Sequence, residues 1–145
     1  MKEGLLTLKR AIGERRLLSE EVLAAYDWDG LLDARDSDGD FEAQWLRVSA
    51  GINELMSAAK VETEARQFAE DIGRELFLAV SQITGGHELA SYVADDFELI
   101  ARAVATGYDD PWLNGLWMAY KANGLPEPPV KEHRGKLLDL IGGAN

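Results

Sequence analysis

The sequence contains no cysteine and no long hydrophobic run. Without cysteine the protein cannot form disulfides, thiol nucleophiles, or zinc and iron–sulfur sites built on cysteine. The longest apolar runs are only a few residues, far below the ~20 that are needed to cross a bilayer. The first ten residues also lack the apolar region of a signal peptide. We therefore predict a cytoplasmic protein that does not bind membranes.

Motifs of catalysis and of cofactor binding are also missing from the chain. There is no Gly-x-Ser-x-Gly elbow and no glycine-rich phosphate loop. His87-Glu88 begins like the zinc-protease helix motif, but Ser91 occupies the position of the second histidine. These absences predict a protein that is not an enzyme and has no cofactor. An enzyme with a carboxylate site that lacks a known motif remains an alternative.

Positive charge is scarce, and the negative excess is concentrated in one segment. The chain has 15 basic and 26 acidic residues, and residues 19–42 alone contain one basic and nine acidic residues. Such a segment repels the phosphates of nucleic acid and attracts cationic surfaces. We therefore predict a basic protein partner and no nucleic-acid partner. Charge that serves solubility alone is the competing interpretation.

Helical spacing of apolar residues runs through most of the 145 residues, and no segment alternates as a strand does. A chain of this length is expected to form one domain, residues 1–145. We predict an all-α fold, an irregular or orthogonal bundle of six to seven helices. The predicted helices span about 3–15, a segment beginning at Ser19, 41–60, 63–84, 87–107, a segment that begins at Pro111 and is ended by Gly124 and Pro126, and 130–141.

Helix boundaries follow from capping residues and breakers. Asp40 is expected to cap the helix that begins at Phe41, and Gly85-Gly86 to end the next one. The pairs Asp95-Asp96 and Asp109-Asp110 precede apolar segments, so capping is their expected role. A cap at Asp95-Asp96 would split 87–107 into two helices, and the sequence leaves both possibilities open.

The acidic segment 36–40, Asp-Ser-Asp-Gly-Asp, invites comparison with a calcium-binding loop. With Gly39 at loop position six, however, Ala34 and Trp45 fall where carboxylate ligands are required. Aspartate, serine and glycine are also the residues of ordinary turns. We expect a solvated turn, with weak cation binding as the alternative.

Trp28 lies between Asp27 and Asp29 and has two interpretations. It packs in the core beside Leu31 and Leu32, or it is an exposed aromatic anchor of an interface. On the second interpretation an acidic surface meets the lysines and arginines of the partner. The predicted partner-binding residues are Trp28, Asp33, Asp36, Asp38, Asp40 and Glu42.

Residues 88–126 resemble segments of small acidic bacterial immunity proteins from polymorphic or contact-dependent toxin systems. The resemblance is carried by Tyr92, Asp95-Asp96-Phe97, Leu99-Ile100, Trp112-Leu113, Leu116-Trp117, Tyr120 and Gly124-Leu125-Pro126. It implies that the protein binds a cognate toxin stoichiometrically and inhibits it, without turnover. A structural or adaptor domain in an oligomer remains an alternative function.

Overall fold

The computed structural model describes residues 2–14, 17–24, 27–58, 63–122 and 124–143, and these contain eight helices and no strand. The predicted all-α fold is confirmed. The count exceeds six to seven because residues 20–37 form two helices instead of one. The helices are α1 (Lys2–Glu14), α2 (Glu20–Ala24), α3 (Trp28–Ser37), α4 (Gly39–Ala58), α5 (Thr63–Thr84), α6 (His87–Thr106), α7 (Pro111–Lys121) and α8 (Leu137–Gly142).

The centre of the bundle is α6, which packs against α1, α4, α5 and α7. Eleven of its side chains are buried, on more than one side of the helix. Its most extensive contact is with α5, the preceding helix along the chain, through a two-residue connection. At Gly73 of α5 a Cβ atom would lie 3.3 Å from the carbonyl oxygen of Ala94, so the missing side chain allows this close approach. Helix α8 packs against both α1 and α7.

Several predicted helix ends are confirmed. Helix α5 stops at Thr84, and Gly85 follows with a positive φ of 69°. Asp110 caps α7, and its side chain accepts hydrogen bonds from the amides of Trp112 and Leu113. Asp109 accepts a hydrogen bond from the amide of Leu137 at the start of α8, so it caps a helix remote in sequence.

Other boundaries differ from the predictions. Asp38, not Asp40, caps α4, because its carboxylate accepts a hydrogen bond from the amide of Phe41 and the helix already begins at Gly39. The capping role of Asp95 and Asp96 was wrong, since α6 is continuous through both residues. The last helix begins at Leu137 and not near Val130, because residues 127–136 are not helical. The predicted helix ends at Arg15 and Lys60 lie outside the described residues.

An ion pair ties α4 to the start of α7. Arg47 donates to Asp110 through both terminal nitrogens, at 2.8 and 3.2 Å. Burial alone would raise the pKa of Asp110, but the hydrogen bonds from Arg47 and from the α7 amides outweigh it and lower the pKa. A carboxylate with a lowered pKa stabilises the fold above its unfolded pKa of about 4, and this contribution is lost as the pH falls through the folded pKa.

We therefore expect Asp110→Asn to reduce the free energy of unfolding by about 1 kcal/mol at pH 6, since Arg47 is half exposed. The deficit relative to wild type should shrink as the pH falls from about 4 toward 2, where the wild-type carboxylate also becomes protonated. Urea unfolding of both proteins at pH 6, 4 and 3 measures this. Arg47→Gln, which removes the ion pair and keeps the cap, should show part of the same pH dependence. A deficit that stays constant over this range would contradict the assignment.

Among the described residues, no helix is both long enough and apolar enough to span a lipid bilayer.

Candidate functional site

A groove of about 480 Å³ opens at the surface where α3, the start of α4 and the first half of α6 meet. We call it the acidic groove, because four of its nine lining residues are carboxylates and one is basic. Its lining residues are Arg35, Asp36, Phe41, Glu42, Trp45, Leu46, Tyr92, Asp95 and Asp96.

The floor of the acidic groove is a buried ion pair between α3 and α6. The two terminal nitrogens of Arg35 donate to the two carboxylate oxygens of Asp96, at 2.9 and 3.0 Å. The side chain of Arg35 is 8% exposed and that of Asp96 is fully buried. The guanidinium carbon also lies 4.4 Å from the ring centre of Phe41 and 5.0 Å from that of Tyr92. A bidentate pair between aromatic rings fixes the guanidinium plane in one orientation.

Asp96 accepts two further hydrogen bonds from other helices. The indole nitrogen of Trp45 donates to Oδ1 at 3.0 Å, and the hydroxyl of Tyr120 donates to Oδ2 at 2.6 Å. One carboxylate therefore links α3, α4, α6 and α7. Burial, together with the charge of Asp96, raises the pKa of Tyr120 well above its usual value. For Arg35, burial would lower the pKa, but Asp96 outweighs this and the pKa is raised.

The carboxylates on the rim of the groove come from all three helices. Asp36, Glu42 and Asp95 are exposed and line the same opening. The hydroxyl of Tyr92 donates to Asp36, which raises the pKa of Tyr92 to about 12. Burial raises the pKa of Asp95, the adjacent charge of Asp96 adds to this, and Arg35 opposes it. The charge of Asp95 is therefore unfavourable in the free protein, and a cation placed in the groove would relieve that cost.

An exposed apolar side chain borders the carboxylates. Leu46 lines the groove and is 56% exposed, more than any other large hydrophobic residue in the described part of the chain. It follows Trp45, whose ring is half-buried and packs against the core. The groove thus places an exposed apolar side chain beside its carboxylates.

Only some of the six predicted partner-binding residues lie in the acidic groove. Asp36 and Glu42 line the acidic groove, and Asp33 and Asp40 are exposed on α3 and α4 but do not line it. Asp38 is half-buried and caps α4, so its carboxylate is engaged within the fold.

Trp28 is half-buried rather than an open aromatic anchor. Its indole nitrogen donates to the carbonyl oxygen of Leu23 at 2.7 Å, and its ring packs against the core. Its polar atom is therefore satisfied inside the fold. Of the two interpretations of Trp28, packing against the core is the one that these contacts favour.

Sequence reasoning missed Arg35, Tyr92 and Asp96 as elements of one site. A signal was present, because Asp96 falls three residues after Val93 and four before Ile100 on the apolar side of α6. Arg35 likewise falls four and three residues after Leu31 and Leu32. A charge on a buried helical stripe requires a partner of opposite sign, and two such charges in one chain predict each other.

The expected solvated turn at 36–40 is wrong, because α3 continues to Ser37 and α4 begins at Gly39. Asp36, Asp38 and Asp40 therefore belong to a helix–helix junction and not to a loop. Among the described residues, no three histidine, aspartate or glutamate side chains converge as metal ligands. His87 instead contacts the hydroxyl of Ser81 and stacks on Phe77.

The comparisons with known proteins identify the family. A family model described as Immunity protein PIM1 matches residues 7–127, which include all of α2 to α7 and every residue of the acidic groove. No curated protein matches the chain. No solved structure matches it either. Because the match covers most of the 145 residues, the chain belongs to the PIM1 family of immunity proteins.

Proposed function

We propose that the protein neutralises a cognate toxin by forming a stoichiometric complex with it, and that its acidic surface meets a basic surface of the toxin. Membership of an immunity protein family is the observation that carries the proposal. In such a complex the protein needs no turnover and no cofactor, because inhibition follows from occupying the toxin surface. The surface we assign comprises α3, the start of α4 and the acidic groove between them and α6.

The charge of this surface supports the assignment. Asp29, Asp33 and Asp36 follow each other at spacings of four and three residues, so they share one exposed side of α3. Asp40 and Glu42 continue the exposed carboxylates into α4. Arg35, the one basic residue of 19–42, is paired with Asp96 in the interior and does not neutralise them.

Such a surface would act chiefly on the rate of association. Long-range attraction between surfaces of opposite charge can raise association rates by ~10–10³-fold at low ionic strength, and salt screens the effect. A fast capture suits a protein that must reach its toxin before the toxin reaches its substrate. The same arrangement of carboxylates resembles a phosphate backbone, which a basic nuclease would bind.

Reversing the exposed charges tests the surface. We expect the triple variant Asp33→Lys, Asp40→Lys, Glu42→Lys to slow association with the cognate toxin by at least about 10-fold at low salt. The dependence of the association rate on salt should also weaken, because fewer attractive pairs remain to be screened. Stopped-flow kinetics at several salt concentrations measures both quantities.

A matched control keeps the change of net charge identical. Glu54, Glu127 and Glu132 are exposed and lie outside the acidic groove. Replacing these three carboxylates by lysine changes the net charge by the same amount as the first triple variant. This control should slow association much less. Equal slowing by both triple variants would show that net charge alone matters and would rule out the surface assignment.

The partner itself is tested with the product of a toxin gene adjacent to the gene for this protein. We expect the two purified proteins to form a complex of defined stoichiometry, and we expect co-expression to protect cells from the toxin. Size-exclusion chromatography with light scattering gives the mass of the complex, against 16.0 kDa for this chain. Absence of a complex together with absence of protection would refute toxin neutralisation.

A further inference from the structure

The acidic groove combines three features that bear on what enters it. Its floor is a closed ion pair, in which the charges of Arg35 and Asp96 cancel each other. Its rim keeps three exposed carboxylates, Asp36, Glu42 and Asp95, from three helices. The opening is therefore negative over a neutral floor, and this charge selects a cation as the occupant.

An unsatisfied donor adds a second, independent observation. Arg35 uses both terminal nitrogens on Asp96, but its Nε is buried and has no hydrogen-bond partner in the part of the chain that the structure describes. Buried donors are normally satisfied, and an unsatisfied one commonly marks a place that a ligand or water completes. Because Arg35 lines the groove, we assign an acceptor that enters it, such as a peptide carbonyl oxygen, as the partner of this nitrogen.

The walls favour a cation with an apolar and planar body. Leu46 is 56% exposed and Trp45 is half-buried beside it, so a methylene stem can pack there while its charged end reaches the rim. Arginine meets these conditions better than lysine, because its planar guanidinium stacks on aromatic rings and pairs with two carboxylates at once. The fold already holds one guanidinium in this way, since Arg35 lies against Phe41 and Tyr92.

We propose that the acidic groove binds an arginine side chain of the partner protein, with Glu42 and Asp95 as the residues that determine its specificity. The proposal rests on the proposed function for the origin of that arginine. It assigns recognition to Asp95, Leu46 and Tyr92, which lie outside the segment of highest negative charge. The bound guanidinium pairs with the rim, its stem covers Leu46, and an adjoining backbone carbonyl accepts from Nε of Arg35.

A pair of small probes tests the groove without the toxin. Nα-acetyl-arginine amide carries the guanidinium, and Nα-acetyl-citrulline amide has nearly the same shape without the charge. We expect the arginine probe to cause saturable shifts in the NMR signals of Tyr92 and Asp95, with a Kd in the millimolar range, and the citrulline probe to cause none. Equal responses to both probes, or no saturable response, would overturn the proposal.

Variants connect the response to the rim. Glu42→Gln with Asp95→Asn should weaken binding of the arginine probe by at least about 5-fold and binding of the cognate toxin by at least about 10-fold. The matched pair Asp33→Asn with Asp40→Asn, which lies outside the groove, should leave the affinity for the arginine probe unchanged. Thermal melting of both double variants checks that the fold is intact.

The two proposals fail in different ways. If the Glu42→Gln, Asp95→Asn variant binds the toxin with wild-type affinity, the arginine site is refuted. Toxin neutralisation is not affected by that result. A wild-type protein that binds no toxin would refute neutralisation, while the titration with the two probes would still decide whether the groove selects arginine.

Discussion

Asp96→Ala is expected to lower the free energy of unfolding by about 3–5 kcal/mol. The replacement leaves the guanidinium of Arg35 buried without its counter-charge, and it removes the acceptor of Trp45 and of Tyr120. The stability of a typical domain is about 5–15 kcal/mol, so the loss is a large part of the total. Urea unfolding monitored by tryptophan fluorescence measures the change, and Trp45 reports from the site itself.

Asp95→Ala is the matched control, because it removes the same group from the adjacent residue of the same helix. Asp95 is exposed, and its raised pKa means that its charge costs the folded protein stability at neutral pH. Its replacement should change the free energy of unfolding by no more than about 0.5 kcal/mol, in the stabilising direction if at all. Similar losses in both variants would show that a disturbed α6, and not the ion pair, causes the effect.

A double variant tests whether the unpaired charge of Arg35 causes the loss of stability in Asp96→Ala. Arg35→Met with Asp96→Leu removes both charges and keeps apolar volume, so it should recover part of the stability that Asp96→Ala loses. Recovery should be incomplete, because Trp45 and Tyr120 still lack the acceptor that Asp96 provided. A double variant as unstable as Asp96→Ala would mean that the buried charge of Arg35 is not the main cost.

Helix ends that depend on contacts within a few residues could be predicted from the sequence. Local signals decided the helix ends at Thr84 and Asp110, since a glycine with positive φ and a carboxylate at a cap act within a few residues. The cap of α4 was ambiguous from the sequence. Asp36, Asp38 and Asp40 stand at alternate positions, and each of them can cap a helix. In the structure Asp38 is the cap, because its carboxylate accepts a hydrogen bond from the amide of Phe41.

The site required contacts between residues that are far apart in sequence. Arg35 and Asp96 are separated by 61 positions, and Trp45 and Asp96 by 51. The local pattern at Asp96 indicates a cap, and only the positions of Arg35 and Asp96 on buried helical stripes indicate that the two charges pair. The charge of residues 19–42 predicted where the surface is negative, but only the packing of α6 against α4 places Asp95 on the same groove.

Three of the residues that carry the resemblance of 88–126 to immunity proteins also belong to the hydrogen-bond network of the site. Tyr92, Asp96 and Tyr120 carried the resemblance, and all three take part in the hydrogen bonds around the groove. The family match over residues 7–127 also covers all nine residues that line the groove. A buried carboxylate that joins four helices holds α3 and α4 in place, and so it positions the exposed carboxylates that we assign to toxin binding.

The second large effect is expected at Gly115, where α7 packs against the chain that follows it. A Cβ atom there would overlap the carbonyl oxygen of Lys131 and lie 2.8 Å from Cγ1 of Val130. The neighbouring Asn114 donates to the carbonyl oxygens of His133 and Gly135, both at 2.9 Å, and these bonds hold the segment 130–135 against the helix. The segment therefore has no freedom to retreat without losing hydrogen bonds.

Gly115→Ala should lower the free energy of unfolding by about 1–3 kcal/mol, although alanine is the better helix former by about 1 kcal/mol. Gly13→Ala is the control, because Gly13 also lies in a helix and a Cβ there meets nothing within 4 Å. This control should be neutral or stabilising by up to about 1 kcal/mol. Thermal melts of the two variants compare them directly. A stabilising Gly115→Ala would mean that the segment moves aside, and amide exchange of His133, whose amide donates to the carbonyl oxygen of Pro111, would then become faster in the variant.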